Sequence, residues 1–287
     1  MTATRTLQFT KMHGAGNDFV VLDATTQELP ALEAFARQLC DRHLGIGADQ
    51  LLIVRPAEDT TQADFRMDIY NPDGSQVEMC ANGIRAFFKY LRDRDRIEED
   101  EIRVETLSGV VRPRWMGENR IRVDMGRPIL QPSKIPTTLG TGDGPVLDVD
   151  LEVSGQTVRL SSVSMGNPHA VIEVPHVDTA PVKQLGSAIE NHPAFPNRVN
   201  VEFIEVVDRE LIRQRTWERG TGETLACGSG ACAVAVTAML RDRTDRAVRV
   251  QLRGGELEIQ WAGEDQSVFM TGPAIEVFEG QISFEGE

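Results

Sequence analysis

The sequence is poor in cysteine and in positive charge, and it contains no long apolar run. Four cysteines occur in 287 residues, Cys40, Cys80, Cys227 and Cys232, and no two of them form a Cys-x-x-Cys pair. That is too few for a disulfide scaffold. The five histidines are scattered without the spacing of a metal site, so no metal is expected. No Gly-x-Gly-x-x-Gly follows a strand pattern, which leaves a dinucleotide unannounced, and no cofactor is expected. Basic residues number 30 against 44 acidic ones, a formal charge of −14. This balance argues against a nucleic-acid partner and against docking on an anionic membrane. No stretch approaches the roughly 20 apolar residues that span a bilayer, and residues 1–10 lack the apolar core of a secretory signal. The expected location is the cytoplasm, where thiols stay reduced.

What remains is the composition of an ordinary globular protein, 40% hydrophobic and 26% charged, long enough for about two domains. Leu7 with Phe9, Val20 to Leu22, Leu51 to Val54, and the alternating Phe65, Met67 and Ile69 read as strands. Leu32, Phe35, Ala36, Leu39 and Cys40 follow the spacing of one helix face, which makes Cys40 a core residue. Asn71-Pro72-Asp73-Gly74 is a turn by composition. The stretch from Gly126 to Pro145 has no periodicity and reads as a connection between two halves.

The second half repeats the first. Gly16-Asn17 recurs as Gly166-Asn167, an offset of 150. The strand pattern at 65–71 recurs at 212–218, and Cys80-Ala81-Asn82-Gly83 recurs as Cys227-Gly228-Ser229-Gly230, both at 147. Ile102-Arg103-Val104 matches Val248-Arg249-Val250, and Gly126 matches Gly272, both at 146. Five matches in order, with so little drift, imply two tandem copies of one unit. The expected lobes are 1–127 and 128–273, with 274–287 free to pack back on the first.

Each copy places a cysteine about nine residues past a strand, at the start of a helix. The segment from Ala231 to Leu240 is apolar almost all round, so that helix must be enclosed by protein, with Cys232 a core residue. The first copy is less extreme, since Arg85 and Lys89 interrupt it. A helix N-terminus offers unpaired N–H donors and the positive end of a dipole, which suits a carboxylate and favours a thiolate. Two such thiols on opposite faces of one α-carbon can invert it, one removing the α-proton and the other returning one. Donors aimed at the carboxylate would stabilise the carbanion.

These residues closely resemble the diaminopimelate epimerase family over essentially the whole chain. The resemblance rests on His13-Gly14-Ala15-Gly16-Asn17-Asp18-Phe19, Gly47-Ala48-Asp49-Gln50, Asn71-Pro72-Asp73-Gly74-Ser75, and Cys80-Ala81-Asn82-Gly83-Ile84-Arg85. It continues through Met165-Gly166-Asn167-Pro168-His169, Arg198-Val199-Asn200-Val201-Glu202-Phe203, Glu218-Arg219-Gly220-Thr221-Gly222-Glu223-Thr224, and Ala226-Cys227-Gly228-Ser229-Gly230. It implies an α+β fold of two pseudo-symmetric lobes, each a curved mixed sheet wrapped around a central helix, with the active site in the cleft between them. It also implies a homodimer that interconverts LL- and meso-diaminopimelate without a cofactor. Cys80 and Cys227 are then the two bases, tuned by His169 and Glu218. Substrate contacts fall on Asn17, Gln50, Asn71, Asn167, Asn200, Glu218 and Arg219, and on the backbone at Ala81-Asn82 and Gly228-Ser229. Ala81 departs from the family's usual Gly, and a left-handed backbone there would be strained by the methyl group.

Three other readings stay open at this point. One is another cofactor-free racemase of the same fold, another a two-thiol redox protein, and the third a non-catalytic amino-acid-binding protein. His13, His43, His176 and His192 receive no functional reading.

Overall fold

The computed structural model describes residues 4–140, 142–263 and 265–285; the expectations for the extreme termini, residues 1–3, 286 and 287, lie outside them. The chain divides into two compact units, Met1–Val123 with Gly272–Glu287 and Asp124–Thr271. Among the described residues no helix is long and apolar enough to cross a membrane.

The first unit contains β1 (Thr4–Gly14), β2 (Asn17–Asp23), α1 (Leu32–Cys40), β3 (Gln50–Pro56), β4 (Phe65–Tyr70), α2 (Ala81–Asp93), β5 (Val104–Thr106) and β6 (Gly109–Val111). A short hairpin of β7 (Arg114–Trp115) and β8 (Arg120–Asp124) follows, and the chain crosses into the second unit at its end. The second unit contains β9 (Val146–Val153), β10 (Gln156–Ser164), β11 (Pro168–Glu173), α3 (Val182–Glu190), β12 (Asn200–Val206), β13 (Leu211–Glu218), β14 (Gly222–Thr224), α4 (Gly228–Leu240), β15 (Ala247–Leu252), β16 (Gly255–Trp261) and β17 (Val268–Pro273). The closing strand, β18 (Ile275–Glu285), returns to pair antiparallel with β1. Among the described residues between Asp124 and Val146 no strand occurs apart from the single bridge Ile129↔Ser164, as the aperiodic stretch there implied.

The repeat read from the sequence is a repeat of strand register. The parallel pair β2–β3 aligns Phe19 with Gln50, and the parallel pair β11–β12 aligns His169 with Asn200, both shifted by 150. The antiparallel pair β3–β4 aligns Leu51 with Tyr70, matched by Val201 with Trp217 in β12–β13. The parallel pair β4–β5 aligns Phe65 with Val104, matched by Ile212 with Val250 in β13–β15. One sheet runs β18-β1-β2-β3-β4-β5-β6, and in the other the corresponding order is β9-β10-β11-β12-β13-β15-β16. The C-terminal strand β18 thus supplies the first lobe with the outer strand that β9 supplies to the second.

Each lobe has one thirteen-residue helix packed on its sheet, α2 or α4. The apolar sequence of α4 requires burial, and every residue from Gly230 to Met239 is buried. The expectation that α2 would be less enclosed needs correction. It is buried throughout Ala81–Leu91, including Arg85 and Lys89. The Arg85 guanidinium is accommodated inside by donating to the carbonyls of Ala81 and Pro273 and to Asn82 Oδ1, and Lys89 pairs with Asp93. Hydrogen-bonded charges can be buried where bare ones cannot.

Candidate active site

The two cysteines occupy the same position in two copies of one local structure. Cys80 is the N-cap of α2, with φ −134° and ψ 117°, and Cys227 is the N-cap of α4, with φ −128° and ψ 109°. Each sulfur accepts the N–H three residues along, from Gly83 and from Gly230, both at 3.4 Å. A thiol thus takes the place usually held by a Ser or Asp oxygen at a helix start. The strand before each cysteine ends at Tyr70 in the first lobe and at Glu218 in the second, so the spacing is one residue longer in the first lobe than the pattern implied.

In the first lobe, Cys80 Sγ donates to Asn17 Oδ1 at 3.7 Å, and Asn82 Nδ2 donates to the same oxygen at 3.2 Å. Asn17 Nδ2 donates to Asp49 Oδ2 at 2.9 Å. Gln50 Nε2 donates to Asn71 Oδ1 at 3.0 Å, and Asn71 Nδ2 to Ser75 Oγ at 3.1 Å. The structure therefore brings Asn17, Asn82 and Cys80 into one cluster and Gln50 with Asn71 into another. Gln50 Oε1 is buried with no hydrogen-bond partner among the described residues. Ala81 is the first residue of α2 and is not among the positive-φ residues, so the methyl group there meets no left-handed strain.

In the second lobe, Cys227 Sγ lies 3.6 Å from Ser229 Oγ. His169 is fully buried, with Nδ1 2.9 Å from Glu202 Oε1 and Nε2 3.0 Å from Asn167 Oδ1. Asn200 Nδ2 donates to the Pro168 carbonyl, and Asn200 Oδ1 accepts from the Arg219 N–H at 2.9 Å. The Arg219 guanidinium donates to the Asn197 carbonyl and stands at the exposed surface. Glu218, at the end of β13, accepts from Thr224 Oγ1. Gly228 and Ser229 form the first turn of α4 beside the sulfur.

Cys227 departs from expectation in two respects. It is buried, with 5% of its surface exposed, whereas Cys80 is half-buried. The helix start was expected to favour its thiolate, yet its pKa is raised well above the ordinary thiol value. Burial is the main cause, followed by the charges of Glu218 and Glu202, and the hydrogen bonds from Ser229 and Gly230 do not offset them. Cys40, on the core face of α1, is pushed up to about 12 by burial, and Cys232 lies wholly inside α4.

Two sets of residues were not singled out from the sequence. Asp49 belongs to a network in which Arg42 forks onto Asp18 and also reaches Asp49 Oδ1, while Lys11 donates to Asp18 at 2.6 Å. Glu202 is fully buried and accepts from Gln214 and Thr216 as well as facing His169. A signal for it existed: it is an acid between Val201 and Phe203 in a strand buried on both faces.

The family profile described as diaminopimelate epimerase matches residues 9–131 and 161–277. The chain is 51% identical to a diaminopimelate epimerase of Moorella thermoacetica, over 97% of this chain and 100% of that one. The chain belongs to the diaminopimelate epimerase family. A second relative, the diaminopimelate epimerase of Azotobacter vinelandii, is 51% identical over 96% of this chain and 99% of its own. Diaminopimelate epimerases are isomerases, and this family member is placed among them. The crystal structure of a PhzF-family phenazine biosynthesis protein from Bacillus anthracis superposes with a TM-score of 0.70 at 17% identity, covering 97% of this chain and 99% of that one. A hydroxyproline epimerase from Agrobacterium vitis, with bound trans-4-hydroxy-L-proline, also gives 0.70 at 17% identity, covering 100% and 95%. At such identities the likeness is one of fold, and it bears out the expected α+β architecture of two tandem lobes.

Proposed function

We propose that this protein interconverts LL- and meso-diaminopimelate without a cofactor, using Cys80 and Cys227 on opposite faces of one α-carbon. The observation that carries the reading is the pair of N-cap sulfurs, matched in backbone angles and in their N–H contacts, within a chain about half identical to diaminopimelate epimerases. Residues 1–127 and 128–273 are its two epimerase lobes. In the LL direction the Cys227 thiolate removes the α-proton, and the electron pair moves into the carboxylate system. The Cys80 thiol then delivers its proton to the other face, which leaves Cys227 as thiol and Cys80 as thiolate. The first-turn N–H groups of Ala81-Asn82 and Gly228-Ser229 stabilise the charge that grows on the carboxylate.

The protein with Cys227 protonated is the form that receives the meso isomer. The LL isomer needs the form in which that proton has moved on. His169 and Glu218 adjust the thiols. Arg219, with its planar fork, suits the distal carboxylate, and Asn17, Gln50, Asn71, Asn167, Asn200 and Glu218 hold the amino and carboxylate groups. Gln50 Oε1, without a hydrogen-bond partner among the described residues, supports this, because a buried acceptor left unmatched costs free energy that a ligand ammonium would recover. The cytoplasmic homodimer implied by the family resemblance forms part of the same reading.

The test is a stereochemical assay of the pure, reduced protein with LL-diaminopimelate and no added cofactor. Cys80→Ala and Cys227→Ala should each abolish epimerisation while the far-ultraviolet spectrum is kept. Cys40→Ala and Cys232→Ala should retain activity and lose about 1–3 kcal/mol of stability. Substantial activity in either of the first two variants would remove the two-thiol mechanism. Proline or hydroxyproline turnover in place of diaminopimelate would favour the racemase reading.

A further inference from the structure

Helices α1 and α3 bury the same five positions at an offset of 150. In α1 these are Leu32, Phe35, Ala36, Leu39 and Cys40, and in α3 they are Val182, Leu185, Gly186, Ile189 and Glu190. The last position breaks the copy, since a buried thiol in one lobe is a buried carboxylate in the other. A turn breaks with it. After β4, the turn Asn71–Ser75 closes on itself: the Asn71 N–H donates to the Ser75 carbonyl and the Gly74 N–H to the Asn71 carbonyl. The Asp73 carboxylate accepts both the N–H and the hydroxyl of Ser75. The register equivalence of Tyr70 and Trp217 makes Glu218–Gly222 the same turn in the second lobe. It keeps the backbone bond from the Thr221 N–H to the Glu218 carbonyl, but at the place of Asp73 it has Gly220, with φ +79°. Glycine suits that backbone and brings no side chain to brace the turn.

The brace comes from α3 instead. Glu190 Oε1 accepts the Gly220 N–H at 2.8 Å and lies 3.3 Å from the Arg198 guanidinium, while Oε2 accepts from Trp217 Nε1 at 2.7 Å. The preceding N–H, that of Arg219, donates to Asn200 Oδ1. The peptide groups on both sides of the Arg219 α-carbon are thereby held, which fixes the direction in which its side chain leaves the backbone.

We propose that Glu190 is a positioning residue for substrate recognition, holding the Arg219–Gly220 peptide from the end of α3 and so aiming the Arg219 guanidinium. This rests on the reading of Arg219 as the contact to the distal carboxylate of diaminopimelate. Packing alone does not call for an acid at the end of α3, because Cys40 fills the equivalent place in α1. Burying a carboxylate is costly unless donors surround it. The donors to Glu190 all come from the segments that carry the substrate contacts: Trp217 precedes Glu218, Gly220 follows Arg219, and Arg198 lies two residues before Asn200. Gly186 serves the same arrangement, since a Cβ there would meet the Trp217 side chain at 2.6 Å. Its absence lets α3 approach the indole that donates to Glu190. The distal end of the substrate does not react, so its contacts hold substrate and transition state alike. Loosening them raises KM and leaves kcat in place.

Two readouts on the full chain test this, one of them without substrate. Hydrogen exchange, read by mass spectrometry on peptides covering residues 218–224, should be faster in Glu190→Ala than in the unsubstituted protein, with peptides covering 71–75 unchanged. In steady-state kinetics Glu190→Ala should raise KM for diaminopimelate by about tenfold, as the loss of a hydrogen bond to a charged group implies, with kcat within about threefold. Glu190→Gln, which keeps one acceptor oxygen, should recover part of both effects. It serves if the Ala variant does not fold, with KM then raised about threefold. An unchanged KM in a folded variant would overturn the proposal, as would a fall in kcat at constant KM or unaltered exchange across the turn. A merely structural Glu190 would lower the melting temperature and leave KM in place. Turnover of LL-diaminopimelate by the unsubstituted protein is measured alongside: its absence would strike the functional reading, while the exchange would still decide whether Glu190 holds the turn.

Discussion

Asp49 holds the amide that holds the Cys80 sulfur. Asn17 Nδ2 donates to Asp49 Oδ2 at 2.9 Å, which turns Asn17 Oδ1 towards the Cys80 thiol at 3.7 Å and towards Asn82 Nδ2. Without Asp49 the amide is free to turn over and offer the sulfur a donor in place of an acceptor.

Asp49→Ala should therefore lower kcat/KM for diaminopimelate by about tenfold, a loss of about 1.4 kcal/mol. The fold should barely notice, because Asp49 is 45% exposed and its pair with Arg42 is a surface pair. Asp49→Asn, which retains one acceptor oxygen, should recover part of the loss. Steady-state kinetics set beside thermal unfolding separates this from a stability effect.

Glycine matters more at 230 than at 83. Alanine is the better helix former by about 1 kcal/mol, but at Gly230 its methyl would stand 2.5 Å from an anchored, buried carboxylate oxygen. At Gly83 the nearest atom is the movable end of Leu52 at 3.2 Å. Gly230→Ala should cost about 2–3 kcal/mol and Gly83→Ala less than about 1 kcal/mol, as read by urea unfolding.

Much of this arrangement was legible in the sequence. The offsets of 150, 147 and 146 return as strand registers because a duplicated sheet must keep its alternation of faces, and a one-residue slip would turn each face over. The cysteines were legible as helix starts because small residues follow them and an apolar run follows those. The burial of α2 was not legible, because Arg85 and Lys89 look like a solvated face until their partners Asn82 and Asp93 are seen. Neither was the raised pKa of Cys227. A helix start predicts a stabilised thiolate, and the burial of the sulfur, followed by the charges of Glu218 and Glu202 beside it, reverses the sign. Networks such as Lys11–Asp18–Arg42–Asp49 join residues up to 38 positions apart, and no local spacing encodes them.

That network also sets an acid limit on stability. Burial alone would raise the Asp18 pKa, but hydrogen bonds from Arg42 and Lys11 outweigh it and hold the carboxyl well below the usual carboxylate range. A depressed native pKa gives stability that is fully present above the unfolded value, near pH 4, and lost as pH falls towards the native one. Asp18→Asn should thus cost on the order of 2 kcal/mol at pH 7, with the difference from the unsubstituted protein shrinking below about pH 4. Urea unfolding at pH 7, 5 and 3 checks both the size and the direction, and a gap that widens on acidification would refute this assignment.

The two-thiol mechanism is tested most directly by the fate of the α-proton in heavy water. A thiol that delivers the new proton has exchanged with solvent before the substrate arrives, so meso product formed from LL-diaminopimelate should carry deuterium from the first turnovers. The unreacted LL pool should stay almost unlabelled early on, because Cys227 returns the proton it removed whenever the carbanion collapses backwards. Mass spectrometry of the separated isomers at low conversion reads both pools. Labelled product beside unlabelled LL substrate is the result expected of Cys80 and Cys227 on opposite faces. Initial product that is largely unlabelled would mean that one base serves both faces, and would contradict the mechanism.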